Sequence, residues 1–178
     1  MLLTKNAHKI AAAKLAFKDI DIKIIYPKRE RAEIQADTSF EIAKHSALEA
    51  AKEYNVIAMR EDHSLYINYL GFPGPYTKYI EKVLPVEKLL DILKLTEDRT
   101  GYFELTAVVA YPNGETKSFS NKVPIHIKKD IVMADLQSGW DSVICLEGEN
   151  RAFSEYPSAE RTDIWTSNFD QIAKLFAK

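Results

Sequence analysis

The chain has 178 residues, 46% of them apolar, enough for one substantial core or for two lobes sharing one sheet, and a single domain over residues 1–178 is expected. A formal net charge of -2 with no basic block excludes the broad electrostatic footprint of a nucleic-acid binder, while a few placed lysines still suffice for one nucleotide. Cys145 is the only cysteine, which excludes an internal disulfide and a multi-cysteine zinc site; no apolar run reaches membrane-spanning length and Met1 to Lys14 lacks a signal-peptide core, so a cytoplasmic protein is expected.

Leu2 and Leu3 form a short apolar run before the polar stretch Thr4-Lys5-Asn6-Ala7-His8-Lys9, and the alanine-rich Ile10 to Phe17 has helical propensity. The order reads strand, polar loop, helix. The free N–H groups of a helix start attract phosphate, and Thr4, Asn6 and Lys9 add a hydroxyl, an amide and a charge. A polar turn that merely caps a helix is the commoner use of such residues. Ile22 to Tyr26 is predicted as a second strand, and Pro27 to Arg31 as a charged connection.

Thr38 followed by Glu41 makes a capping box, and Phe40, Ala43, Ala47, Ala50 and Tyr54 recur at helical spacing, so a helix begins there. Lys44 lies near its start, one position round from the apolar stripe. Val56 to Met59 reads as a buried strand, and it leads to the carboxylates Glu61 and Asp62 where a strand would meet the edge of its sheet. Leu65 to Tyr69 alternates as a further strand. Gly71, Pro73, Gly74 and Pro75 then leave little room for regular structure, and the shaped loop ends on the cation Lys78.

Thr77 to Val83 and Val86 to Leu95 are predicted helices divided by Pro85. Tyr102 to Tyr111, the turn Pro112-Asn113-Gly114 and Glu115 to Ser120 read as an antiparallel hairpin, which Ile125 and Ile127 continue. Gly139-Trp140-Asp141 precedes Val143-Ile144-Cys145. Ser167 is placed as the cap of a last helix with the face Phe169, Ile172, Ala173 and Phe176. The four histidines have no zinc spacing; His63, beside Asp62, is a candidate base, although a surface histidine is the commoner case and the reading taken, and Cys145 is read as inert core.

Glu61-Asp62-x-x-Leu65 followed by Leu70-Gly-Phe-Pro-Gly-Pro-Tyr-Thr-Lys-Tyr79 resembles the signature of the inosine triphosphate pyrophosphatase family, hydrolases of non-canonical purine nucleoside triphosphates. The similarity runs from Thr4 to about Glu160 and is most specific over residues 61–79. It implies a mixed central β-sheet flanked by helices, an α/β fold with two lobes around a nucleotide-binding cleft. It also implies magnesium held by Glu33 and Asp62, with Asp62 accepting a proton from the attacking water. Thr4, Asn6, Lys9, Lys44 and Lys78 would hold phosphate, Gly139, Trp140, Asp141 and Arg161 would meet the base, and the chain would be a homodimer with no nucleic-acid or membrane partner.

The chain departs from the family pattern at several positions. His63 and Ser64 replace a hydroxyl and a small residue, the link from Asp62 to Pro73 is one residue short, Ala12 replaces a glutamate, Ser138 a phenylalanine and Ser142 a proline. The family's Lys-Asn and Ser-His-Arg, which read the purine, give way to Arg161-Thr162-Asp163-Ile164-Trp165-Thr166-Ser167. Three readings stay open: a pyrophosphatase with altered base preference, a non-catalytic nucleotide-binding or interaction protein of the same fold, or an α/β domain whose resemblance is only structural.

Overall fold

The computed structural model describes residues 1–27, 32–132 and 136–177, so most of the predicted charged connection after Pro27 lies outside the described residues. Helices α1 (Ala7–Ala16), α2 (Ser39–Tyr54), α3 (Thr77–Val83), α4 (Val86–Leu93), α5 (Ser158–Ile164) and α6 (Ser167–Lys174) accompany a five-stranded antiparallel sheet. Its strands β1 (Ala58–Ile67), β2 (Phe72–Gly74), β3 (Thr100–Ala110), β4 (Thr116–Ile127) and β5 (Ile144–Leu146) lie in the order β2-β1-β3-β4-β5. The fold class expected from the sequence, α/β with a central sheet flanked by helices, is the one observed.

The chain divides into two compact units, one formed by Met1–His63, Leu105–Asn121 and Ser158–Lys178, the other by Ser64–Glu104 and Lys122–Pro157. In the first, Leu2 pairs in parallel with Met59, and α1 and α6 pack their small and aromatic faces on that sheet surface. Ala12, Ala13, Phe17, Met59, Val109, Phe169 and Ile172 form this core. Complete burial of one side chain of the size of Phe169 contributes about 1.5–3 kcal/mol. A second cluster puts Ala43, Ala47, Ala50 and Ala51 of α2 against Leu3, Ala58, Val108 and Ala110. Alanines at that spacing let the helix backbone come close to the strands.

Helix α2 starts as its sequence demands. Thr38 Oγ1 accepts from the Glu41 N–H while the Glu41 carboxylate accepts from the Thr38 N–H, and Asn55 ends the helix in the left-handed conformation, φ 49°.

Three sequence expectations change. Ile22 to Tyr26 is not a strand: the Leu2 N–H donating to the Ile25 carbonyl at 2.8 Å is its one tie to the sheet backbone among the described residues. Glu61 and Asp62 are not at a strand end, because β1 runs unbroken from Ala58 to Ile67 through both. Ser167 begins α6 rather than capping it; Thr166 is the cap, and Ser167 Oγ accepts from Asn121 Nδ2.

In the second unit α3 and α4 are separated at Pro85, as predicted. Leu89, Leu90 and Leu93 are the buried face of α4. Arg99 ties this unit together through main-chain carbonyls, with Nε donating to Ile127 and Nη1 to Leu93.

Candidate functional site

After Leu3 the chain leaves the sheet and turns into α1. Thr4 Oγ1 accepts from the Asn6 N–H at 3.1 Å, and Asn6 caps the helix, its Oδ1 accepting from the N–H groups of His8 at 2.9 Å and Lys9 at 3.3 Å. The cap therefore already engages two of the amides a phosphate would meet, and the positive end of the helix dipole remains. Lys9 turns back to the sheet: its Nζ donates to the Glu61 carbonyl at 3.0 Å and lies 3.8 Å from Glu61 Oε2. Burial pushes the Lys9 ammonium below its usual pKa, and the charges of Glu61 and Asp62 oppose that shift.

Alternation along β1 sends neighbours to opposite faces. Glu61 and His63 share the face of Met59, which packs with α1 and α6; Arg60 and Asp62 share the face of Ala58, which packs with α2. The two acids that look equivalent in sequence therefore differ. Glu61 is buried, its side chain 1% exposed, whereas Asp62 is half-buried and makes no hydrogen bond or ion pair with any described residue.

Arg60, which the sequence reading missed, organises the second face. Its Nη1 donates to the Leu3 carbonyl at 2.8 Å and its Nη2 pairs with Glu33 Oε1. Glu33 is thereby brought beside β1, within electrostatic range of Lys9, from a segment with no regular structure of its own. An arginine immediately before paired acids was the available signal.

These residues fit an oxygen-seeking cation. Magnesium uses one or two carboxylates and takes its other ligands from water and phosphate, and the side chains of Asp62 and the half-exposed Glu33 supply carboxylate oxygens. Among the described residues no group of three His, Cys, Asp or Glu could hold an ion. A protein-only cage is thus not what the described chain offers.

On the other face, Glu61 joins a buried polar network. Asn168 Nδ2 donates to the Leu105 carbonyl at 2.9 Å and stands 3.5 Å from Glu61 Oε1, and Asn121 Nδ2 donates to Asn168 Oδ1 at 2.6 Å. Glu61 Oε2 lies 3.1 Å from His63 Nε2, and the His63 ring packs against Trp165 with centroids 5.1 Å apart. His63 is therefore not the surface histidine expected from the sequence. Burial first, then the Lys9 charge, lowers its pKa, so the neutral imidazole is favoured.

The remaining expected residues fall in both units. Lys44, half-buried on α2, carries its ammonium 5.5 Å from the Phe40 ring, and Arg161 lies on α5; both belong to the first unit with Thr4, Asn6, Lys9, Glu33 and Asp62. Lys78 is exposed on α3 in the second unit. That unit also holds Gly139, Trp140 and Asp141. Trp140 is 2% exposed, its N–H donates to Glu81 Oε1 and its Nε1 to the Leu84 carbonyl, so its ring serves packing and presents little face to a ligand.

Fold and site together define an α/β protein in which a lysine, an arginine and several carboxylates gather at one strand. A model of the Ham1 family matches residues 1–167, and the chain belongs to that family. It is 29% identical over 178 residues to a dITP/XTP pyrophosphatase of Saccharolobus solfataricus, covering 99% of this chain and 89% of that one. It is 34% identical over 124 residues to the dITP/XTP pyrophosphatase of Methanosarcina acetivorans, covering 69% and 67%. Among solved structures, a HAM1 protein from Coxiella burnetii superposes with a TM-score of 0.81 at 21% identity, covering 98% of this chain and 96% of that one. At that identity the likeness speaks for the fold.

Proposed function

We propose that this protein hydrolyses nucleoside triphosphates, non-canonical purine ones such as those of inosine, deoxyinosine and xanthosine, to the monophosphate and pyrophosphate. The observation that carries the reading is Asp62: a half-buried carboxylate without a hydrogen-bond partner among the described residues, within electrostatic range of the buried Lys9, in a family whose relatives are named dITP/XTP pyrophosphatases.

The reaction adds water across the α–β phosphoanhydride. The water oxygen bonds to phosphorus, the bridging bond breaks towards pyrophosphate, and the water proton passes to a base. Positioning and charge stabilisation do most of this work. Lys9 and the start of α1 bind phosphate oxygens; Lys44 adds a second cation on the α2 side. Asp62 orients the water and takes its proton. Arg60 fixes Glu33 so that both carboxylates face the same substrate. Magnesium, when bound by Asp62 and Glu33, neutralises phosphate charge. Roles for Lys78, Gly139, Asp141 and Arg161 rest on the resemblance alone.

A second reading, nucleotide binding without turnover, draws on the Arg60–Glu33 pair, since a glutamate held by arginine is less available to a cation. Pyrophosphate release across a panel of nucleotides, with and without magnesium, separates the two: binding without release supports the second. A second copy of the chain is the expected partner, and the exposed Tyr79, Val83 and Leu95 of the second unit are apolar surface it would cover. Sedimentation tests that assembly.

A further inference from the structure

Of the two ring nitrogens of His63, Nε2 is sealed from solvent 3.1 Å from Glu61 Oε2, and neither of these atoms has a hydrogen-bond partner of good geometry among the described residues. Glu61 is itself held in place, by Lys9 on one side and by the Asn168–Asn121 pair on the other. A carboxylate 3.1 Å from Nε2 favours the tautomer that carries its proton there, which leaves Nδ1 as an acceptor. Nδ1 makes no hydrogen bond to any described residue, and the His63 side chain is 21% exposed. The half-buried Trp165 ring lies alongside at 40° to the imidazole plane.

An acceptor held beside an aromatic surface suits a planar ring that offers an N–H. The 6-oxopurines have such a donor at N1, whereas adenine has an acceptor there. Aromatic packing tolerates any base, so selectivity falls to the polar contact. We propose that His63, oriented by Glu61 and flanked by Trp165, is a specificity-determining residue of this chain that selects 6-oxopurine nucleotides over adenine nucleotides. The inference rests on the nucleotide reading above and adds to it the residue that reads the base. It also gives a use to two departures from the family pattern, a histidine at 63 and a tryptophan in the 161–167 segment.

The test is equilibrium binding of the α,β-methylene triphosphates of inosine and adenosine, which resist cleavage between those phosphates, to the wild-type protein and to His63→Phe. Phenylalanine keeps the ring beside Trp165 and removes both nitrogens. Wild type is expected to prefer inosine by at least roughly tenfold, and the variant to lose that ratio through weaker inosine binding while adenosine binding stays the same. His63→Ala, which lets water reach Glu61, is expected to lose the ratio as well and serves if the first variant does not fold. A ratio near one in wild type, an unchanged ratio in the variants, or equal weakening of both nucleotides would overturn the assignment. Should wild type bind neither compound, the nucleotide reading itself falls, and this inference with it.

Discussion

Glu61 and His63 stand two residues apart on one face of β1, with Oε2 of the first 3.1 Å from Nε2 of the second. The same carboxylate is 3.8 Å from the Lys9 ammonium, so one buried acid serves two partners. Removing it would leave a buried imidazole nitrogen without its counterpart and the buried Lys9 ammonium with only the main-chain carbonyl of residue 61. Glu61→Leu is expected to destabilise the protein by roughly 3 kcal/mol, and Glu61→Gln, which keeps the shape and an acceptor, by less. Urea unfolding at neutral pH measures both. Equal stability of wild type and the leucine variant would show that the carboxylate holds neither partner.

The Thr38–Glu41 box predicts a smaller effect. Thr38→Ala removes the side-chain acceptor for the Glu41 N–H and is expected to cost about 1 kcal/mol. For a chain of this length that lowers Tm by about 2–4 °C. No change in a thermal melt would mean that α2 does not depend on its cap.

Gly139 has φ 53°, and a Cβ built there would come within 2.3 Å of Glu81 Oε1, the atom that accepts from the Trp140 N–H. Gly139→Ala is therefore expected to destabilise through both strain and collision. Glu81→Ala in the same chain relieves only the collision. The double variant should be less destabilised than the sum of the singles, and strict additivity in denaturant melts would place Glu81 away from Gly139.

Cys145 is fully buried, and that burial is the main cause that raises its thiol pKa. The thiolate is the reactive form, so a raised pKa depresses reaction at neutral pH, and the native protein is expected to resist thiol reagents until it unfolds. Rapid labelling of the folded chain would contradict this.

Where local chemistry and tertiary packing agree, the sequence was legible. Thr38 and Glu41, Pro85, and the turn at Pro112-Asn113-Gly114 each act over three or four residues, and the elements they bound are where expected. β1 was read as two strands because Glu61, Asp62, His63 and Ser64 interrupt its apolar pattern. Glu61 and Ser64 are buried polar residues, and a buried polar residue looks like a solvated one until its partners are known. Ile22 to Tyr26 has β propensity but no regular ladder to join, and propensity for strand is set largely by neighbours. The grouping of Lys9 and Glu33 with β1 was expected from resemblance. The division of labour between the two acids, the Arg60 tie to Glu33 and the burial of His63 depend on pairings across many residues, which no local spacing announces.

The measurement that bears most directly on the proposed hydrolysis is pyrophosphate release from deoxyinosine triphosphate by wild type and by Asp62→Asn, each in magnesium and in chelator. Asparagine keeps the shape of the side chain and removes the charge that would bind a cation and accept the proton. Asp62 has no hydrogen-bond partner among the described residues, so the variant is expected to fold and melt as wild type does. Release by wild type in magnesium, with loss in chelator and in the variant, is the predicted result. Undiminished release by the folded Asp62→Asn protein, or by wild type in chelator, would contradict the account.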